Sequence, residues 1–336
     1  VTNYENECEL DGVTVYGAGH PVPDDNGAIA SKAVIAALQG TDGPVLALIS
    51  GGGSALLPAP KAPITLGDKA KVNEVLLASG GDIVQMNTIR QHLSDLKGGG
   101  MLRHAAPHPV TALILSDVVG DDLRAIASGP TVGPLASRAV AVALCHTLRI
   151  WDALPEAAKV VLRNRADENP LPDATNLLVG SNDLSLQAMA ALDPSAHIFP
   201  KSLDGDVAAA AVCVTDFAQT KGIYLFGGET TVVIKGHGKG GRNQELALRV
   251  ALRAEAAGWQ NWYYLQGGTD GRDGPTDAAG GIVDATTLIR ARAAGVDVQA
   301  CLDNNDSYRV LKAADALLMT DATGTNVAEL GVLIRG

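Results

Sequence analysis

Residue types suited to anion binding are concentrated at Gly227–Leu248, in the sequence GGETTVVIKGHGKGGRNQELAL. The pattern predicts a β-branched strand at 230–234, a loop of glycine and lysine at 235–241, and a helix opened by Arg242. Backbone amides at a helix start, with the positive end of the helix dipole behind them, favour a bound anion. We therefore predict an anion site here. The alternative is a flexible hairpin followed by a surface helix.

Six predicted apolar strands are each followed within two residues by glycine, serine, threonine, aspartate or asparagine. Their last residues are Ile49, Leu115, Val179, Phe226, Leu265 and Met319. In open parallel sheets, ligands bind beyond the carboxyl ends of the strands. Glycine amides and hydroxyl groups bind phosphate oxygens, and carboxylates bind magnesium. The repeated pattern therefore predicts a cleft between two domains that handles phosphate groups.

Several residues could contact a substrate or its phosphate groups. The loop 50–54 is not a P-loop, because no Lys-Ser or Lys-Thr pair follows at the required spacing. Arg90 and Lys97 lie seven residues apart near one predicted helical face, so they could anchor a carboxylate, or they could be solvated helix charges. The predicted substrate- or phosphate-binding residues are Ser50, Gly51, Gly52, Gly53, Ser54, Arg90, Lys97, Gly238, Lys239, Gly240, Gly241 and Asn326.

Aspartates in the loops after predicted strands are candidates for proton transfer and metal binding. We predict that Arg242 stabilises charge on a transferred phosphoryl group, and that Asp117 or Asp270 acts as a base. Asp117 and Asp277 are the candidate magnesium ligands. Helix capping and turn formation explain loop aspartates equally well, so the assignment among them stays open.

Gly236, Gly238 and Gly241 satisfy the G-x-G-x-x-G pattern of dinucleotide-binding sites. Such a site also requires an acidic residue at the end of the next strand, to bind the ribose. The next predicted strand ends near Leu265, and no carboxylate follows until Asp270. A nicotinamide-dependent dehydrogenase is therefore the second hypothesis.

The composition is that of a globular α/β enzyme. The chain has 336 residues, 26 basic and 37 acidic side chains and a net charge of −11, which disfavours nucleic-acid binding. Its four cysteines lie far apart and match no zinc spacing, which predicts free thiols in a reducing, cytoplasmic environment. No apolar run is long enough to cross a membrane. The first residue is Val1, and we expect that part of the natural N-terminus precedes it.

The predicted domains are 1–221 and 222–336, because glycine-dense strand and loop units begin near residue 222. The apolar run Val45–Ile49 predicts a strand buried on both faces. Helices are predicted at 24–38, 66–78 and 82–96, and a polar, proline-containing connection at 168–172.

The sequence resembles the two-domain glycerate 2-kinases of the MOFRL family, some members of which carry the name hydroxypyruvate reductase. The similarity extends over nearly the whole chain in the order of the family. The matching segments are residues 19–23, 48–60, 87–99, 115–131, 180–183, 227–248, 267–281, 305–308 and 323–330.

This resemblance implies a Rossmann-like N-terminal domain, a smaller α/β C-terminal domain and a cleft between them. It also implies phosphorylation of D-glycerate to 2-phosphoglycerate with ATP and Mg²⁺, with NAD(P)H-dependent reduction of hydroxypyruvate as the alternative. Arg242 is expected in the active site, opposite a lysine of an N-terminal Gly-Lys-Ala segment upstream of Val1. The expected partners are this small substrate and a nucleotide, not nucleic acid or membrane, and a homodimer is left open.

Overall fold

The computed structural model describes residues 1–164 and 170–336, and the chain forms two compact units. Unit 1 comprises Val1–Leu115 and Gly120–Val179, and unit 2 comprises Ser116–Val119 and Gly180–Gly336. The domain boundary at residue 222 and the cleft between domains stay predictions. The predicted connection at 168–172 lies partly outside the described residues. In the described part of the chain, no helix has the length and apolar character needed to cross a membrane.

Unit 1 contains short helices around a small sheet. In chain order, its elements are β1 (Thr2–Asn3), β2 (Gly17–Ala18), α1 (Asp25–Gln39), β3 (Val45–Ile49), α2 (Gly53–Leu56), α3 (Leu66–Ala78), α4 (Ile83–His92), α5 (Gly100–Ala105), β4 (Val110–Leu115), α6 (Arg138–Thr147), α7 (Glu156–Arg163) and β5 (Ala174–Gly180).

The sheet of unit 1 has the strand order β3-β4-β5, and β3 runs parallel to β4. Ala47 and Ile49 are buried on one face of β3, whereas Leu46 and Leu48 on the other face are 62% and 76% exposed. The prediction that Val45–Ile49 is buried on both faces is therefore wrong. An apolar run does not indicate which face of a strand will be covered, because the covering residues come from distant parts of the chain.

The helix ends of unit 1 follow local capping chemistry. Asp24 caps α1 by accepting from the amide of Gly27, and α3 begins with a capping box of Thr65 and Asp68. Helix α4 ends at His92, four residues earlier than predicted. Lys97 is consequently not on the same helix as Arg90, and their proximity to each other has a tertiary origin.

Unit 2 is built on one mixed sheet. Its elements are α8 (Asn182–Leu192), β6 (His197–Ile198), β7 (Leu203–Asp206), α9 (Val207–Phe217), β8 (Gly222–Thr231), α10 (Arg242–Ala256), β9 (Trp262–Gly268), β10 (Gly280–Asp284), α11 (Thr287–Ala293), α12 (Val298–Asp303), α13 (Ser307–Ala313), β11 (Leu317–Leu318) and β12 (Glu329–Arg335).

The strand order in this sheet is β11-β10-β9-β12-β8-β6, with β7 also paired to β8. Strands β6 and β7 are parallel to β8, whereas β12 is antiparallel to both β8 and β9. The N-terminal end of β12 therefore lies at the same edge as the carboxyl ends of β8 and β9. A separate strand at 230–234 was predicted, but β8 continues without interruption to Thr231.

Helix α10 is the central helix of unit 2. Leu246, Ala247, Val250, Ala251 and Ala254 recur at helical spacing and are buried. They pack in one cluster with aromatic side chains of the sheet, including Phe226, Trp262 and Tyr264. This packing holds the first turn of α10, and with it Arg242, in a defined position.

Candidate active site

Arg242 is the first residue of α10 and lies between two carboxylates. Its Nη2 is 2.9 Å from Oε1 of Glu229, whose side chain is 47% exposed. Its Nε donates to Oε1 of Glu329, whose side chain is only 3% exposed. The guanidinium is thus held at one edge by a buried carboxylate and at another by a carboxylate in contact with solvent.

Glu329 is part of a buried polar network. Burial raises its pKa to about 7, against the opposing effects of the charge on Arg242 and of the amide of Thr230. Asn243 donates to Glu329 from Nδ2 and accepts from Nε2 of Gln266 at 2.9 Å. Gln266 in turn accepts from the hydroxyl of Tyr264 at 2.7 Å. Each member of this network restricts the orientation of the next.

The first turn of α10 binds a carboxylate of the protein itself. Asp273 accepts from the amide of Asn243 at 3.0 Å and from the amide of Gln244 at 2.8 Å. Gly241 allows this approach, because a Cβ at that position would lie 2.2 Å from Cγ of Asp273. The predicted anion site at this helix start is therefore corrected: Asp273 supplies the anion to these two amides.

The loop 235–241 is held by the turn at 304–306. Gly238 donates its amide to the carbonyl of Asn304 at 2.8 Å. Four further amides donate to side chains of the turn at 2.6 to 3.1 Å, from Lys235 and Gly236 to Asn305, from His237 to Asn304, and from Lys239 to Asp306. These amides already have protein partners, so they are not positioned to receive a pyrophosphate.

The predicted aspartates and asparagine of unit 2 differ in their exposure to solvent and in their hydrogen bonds. Asp270 is half-buried and accepts from the amide of Arg272 at 2.9 Å. Asp277 is exposed, and a hydrogen bond from Tyr308 lowers its pKa. Asp117 is half-buried in the segment Ser116–Val119. Asn326 is exposed and accepts from the amide of Ala328 at 3.0 Å.

Among the residues that the structure describes, no three His, Cys, Asp or Glu side chains form a group that could hold a metal ion. Mg²⁺ in nucleotide sites is usually bound by one or two carboxylates together with phosphate oxygens and water. Asp117 and Asp277 therefore stay predicted magnesium ligands.

The structure brings together two of the predicted residues of unit 1. Nζ of Lys97 donates to the carbonyl of Ser54 at 2.8 Å and to its hydroxyl at 2.7 Å. The hydroxyl of Ser128 donates to the hydroxyl oxygen of Ser54 at 3.1 Å. Gly52 adopts a φ of 78°, which glycine tolerates best, and Gly53 begins α2. The loop 50–54 is thus fixed to buried Lys97 at its C-terminal end.

A second lysine, Lys69 of α3, lies beside Lys97. Burial lowers the pKa of Lys97 well below its usual range and that of Lys69 to about 8. The positive charge of Arg90 lowers both pKa values further. Nε of Arg90 donates to Oδ1 of Asn73 at 3.0 Å. We call Lys69, Arg90 and Lys97 the cation cluster. The charged neighbours that shift the pKa of its lysines are all positive, so an anionic ligand would stabilise it.

Sequence reasoning did not identify Glu229, Glu329 or Lys69. Glu229 and Glu329 lie within segments that resemble the family, but neither residue type nor spacing distinguishes them from surface glutamates. Lys69 lies in the first turn of α3, between Asp68 and Ala70. Its partial burial in the folded protein distinguishes it from Lys71, which is exposed and paired with Glu74.

Comparison with known proteins places the chain in a family. Residues 1–163 match a domain of unknown function, DUF4147, and residues 222–329 match the MOFRL family. A glycerate 2-kinase of Pyrococcus horikoshii is 38% identical over an alignment of 358 positions, which covers 99% of this chain and 80% of the relative. A D-glycerate 2-kinase of Thermotoga maritima is 38% identical over 98% of this chain and 82% of the relative. The chain belongs to the glycerate kinase family.

The crystal structure of a glycerate kinase from Thermotoga maritima matches this family member with a TM-score of 0.90 and 37% identity, covering 99% of this chain and 84% of that chain. A protein of Agrobacterium vitis with the provisional name of hydroxypyruvate reductase is 40% identical over 100% of this chain and 80% of the relative. These matches confirm the predicted resemblance and the α/β fold with a separate C-terminal MOFRL domain.

Proposed function

We propose that this member of the glycerate kinase family transfers the γ-phosphoryl group of ATP to the 2-hydroxyl of D-glycerate, giving 2-phosphoglycerate. One observation carries the proposal: 38% identity, over nearly the whole chain, to a glycerate 2-kinase and to a D-glycerate 2-kinase from two different organisms. Both of the compact units are included in that similarity.

Arg242 would neutralise the charge that develops on the transferred phosphoryl group. Phosphoryl transfer depends on positioning and charge neutralisation more than on covalent chemistry. The position of Arg242 at the start of a well-packed helix and its fixed hydrogen bond to Glu329 support this role. The side chain of Lys239 would contribute positive charge beside the phosphate groups, and Gly238, Gly240 and Gly241 would allow the loop to pack closely against Asp306, Ser307 and Asp273.

The cation cluster would bind the carboxylate of D-glycerate. Lys97 and Arg90 are two of its members, and both belong to the predicted binding residues. A carboxylate would offset the mutual repulsion of these cations, of which Lys97 is buried and Lys69 and Arg90 are half-buried. The loop 50–54, held by Lys97, would offer amides and the Ser50 and Ser54 hydroxyls to the same ligand.

Mg²⁺ would accompany the ATP. Carboxylate oxygens are the ligands that Mg²⁺ prefers, and Asp117 and Asp277 supply such oxygens in unit 2. The bound ion would neutralise charge on the phosphate groups of the nucleotide. Asp117 or Asp270 would accept the proton of the 2-hydroxyl, and Asn326 would add a polar contact to the substrate.

Reduction of hydroxypyruvate is the second candidate, because one relative carries that name. The structure does not favour it. The amides around the G-x-G-x-x-G sequence donate to Asn304, Asn305 and Asp306. In addition, β8, which precedes that sequence, is antiparallel to its neighbour β12, unlike the parallel strands of a dinucleotide-binding fold.

The deciding experiment is a parallel assay of the full-length enzyme. One arm contains ATP, Mg²⁺ and D-glycerate, and the position of the phosphate in the product is determined by NMR. The other arm contains hydroxypyruvate with NADH or NADPH and is followed by absorbance. We expect 2-phosphoglycerate in the first arm and no oxidation of nicotinamide in the second; the reverse result would overturn the proposal.

We also infer that the enzyme is cytoplasmic, with only small molecules as ligands. Its four cysteines are free thiols, two of them exposed, which suits a reducing compartment. A homodimer is compatible with this function, and sedimentation of the purified enzyme would measure its oligomeric state.

A further inference from the structure

Glu329 occupies the first position of β12, in the centre of the unit 2 sheet. It lies opposite Gly228 of β8 and Gly268 of β9. Because both directly paired residues are glycines, neither of them places a side chain against that of Glu329. The side chain nevertheless has little contact with solvent, since the first turn of α10 covers it.

The carboxylate of Glu329 is fixed by three donors other than Arg242. Oε2 accepts from the amide of Thr230 at 3.2 Å and from the hydroxyl of Thr230 at 3.3 Å. Oε1 accepts from Nδ2 of Asn243 at 3.3 Å as well as from Nε of Arg242. A buried carboxylate with this many donors has one favourable orientation. It therefore fixes the plane of the guanidinium that it binds.

The second carboxylate that binds Arg242 differs from Glu329 in its exposure to solvent. Glu229 is half exposed, and its Oε1 contacts the outer Nη2 of the guanidinium. An exposed ion pair of this kind contributes little stability, so a ligand oxygen can replace it at small cost. The contact with Glu329 cannot be exchanged in this way, because breaking it would leave a buried carboxylate without its cation.

We propose that Glu329 is the positioning residue of Arg242: its buried carboxylate holds Nε, so that the outer Nη groups are presented to the transferred phosphoryl group. This role deepens the proposed kinase function, on which it rests. Glu329 itself does not touch the substrate, and it acts through Arg242.

The charged and titratable groups around Glu329 give this role a pH dependence. Arg242 faces it from α10, Asp273 lies near the first turn of α10, and the buried Tyr264 projects from β9. Glu229 of β8 binds the same Arg242. Deprotonated Glu329 binds the guanidinium as an ion pair, whereas the protonated carboxyl binds it weakly. Turnover should therefore fall as the pH decreases through about 7, the raised pKa of Glu329.

The test compares wild type, Glu329→Gln and Asp284→Asn. Asp284 is a matched control elsewhere in unit 2, since it binds Arg290 and also accepts from the amide and hydroxyl of Thr286. We expect Glu329→Gln to lower kcat by up to about a hundredfold, the order of effect of a misplaced catalytic group. Its KM for D-glycerate should stay within about twofold, and the decrease of kcat below pH 7 should disappear. Asp284→Asn should keep the wild-type pH profile.

A second measurement does not depend on activity. In ¹⁵N NMR spectra without substrate, Nε–H of Arg242 should give a slowly exchanging signal in wild type that is lost in Glu329→Gln and recovered in part in Glu329→Asp. If the wild type makes no phosphoglycerate, the kinase proposal fails, while this signal still reports on the pair. Unchanged kcat, pH profile and Arg242 signal in a folded Glu329→Gln would overturn the positioning role.

Discussion

At the scale of single residues, burial determines which charges can do chemistry. Arg242 is bound by one buried and one exposed carboxylate, so one side of its guanidinium is fixed and the other is replaceable. In the cation cluster, burial removes water from Lys69 and Lys97 and leaves them with positive neighbours. In the cation cluster the energetic cost of burying positive charge is offset only partly inside the protein, which favours an anionic ligand there.

We expect Arg242→Ala to reduce kcat about a thousandfold or more, the effect of losing an arginine that stabilises a transferred phosphoryl group. The measurement is turnover of D-glycerate at saturating ATP. Arg253→Ala is the control, because Arg253 lies on the same helix and binds Thr215 and Asp216 instead. Comparable turnover in the two variants would remove Arg242 from the mechanism.

Replacing Lys69 by Met should raise the KM for D-glycerate by about tenfold, as expected for a lost hydrogen bond between charged groups, with little change in kcat. In the wild type, KM should also increase above about pH 8, where Lys69 loses its proton. The variant should lack that increase. Lys71→Met, two residues along α3 and exposed, is the control. A KM that is unchanged in Lys69→Met would exclude Lys69 from the carboxylate site.

At the scale of elements, helix α10 is anchored at its N-terminus by a carboxylate from a distant loop. Asp273 takes the place that an external anion would otherwise occupy, and Gly241 permits its close approach. The loop before α10 is bound in a similar way by the turn at 304–306. These contacts make the start of α10 a rigid support for Arg242.

Asp273→Ala should therefore destabilise the protein more than removal of an ordinary helix cap, which costs about 1 kcal/mol. Three hydrogen bonds, two from amides and one from Nδ2 of Asn243, would lose a buried acceptor. Asp206→Ala, which removes the exposed cap of α9, is the control. Thermal unfolding followed by calorimetry should show the larger decrease in Tm for Asp273→Ala; equal decreases would contradict this account.

At the scale of the whole molecule, the proposed ligand groups are distributed over both compact units. The cation cluster and the loop 50–54 belong to unit 1, and Arg242 with its carboxylates belongs to unit 2. The proposed reaction therefore uses groups from both units. We therefore expect substrate and nucleotide to bind separately and measurably.

D-Glycerate alone and ATP with Mg²⁺ alone should each raise the Tm of the enzyme. A ligand at one hundred times its Kd stabilises the folded state by about 2.7 kcal/mol. NADH and NADPH should cause no shift. Removal of Mg²⁺ with EDTA should abolish turnover while keeping the shift caused by D-glycerate. A shift with NADPH in place of ATP would instead support the reductase hypothesis.

The sequence by itself determined the family, the α/β class and the glycine-rich segments around Arg242 and Ser54. This information is local, because turns, helix starts and strands follow from residues that are close in the chain. Only the tertiary structure decided the partners of these segments. Glu329 is 87 residues from Arg242, and Lys97 is 43 residues from Ser54. No periodicity encodes such pairs, because they arise from antiparallel pairing of β12 and from burial within each unit. Burial distinguishes Glu329, and partial burial distinguishes Lys69, from surface side chains of the same type.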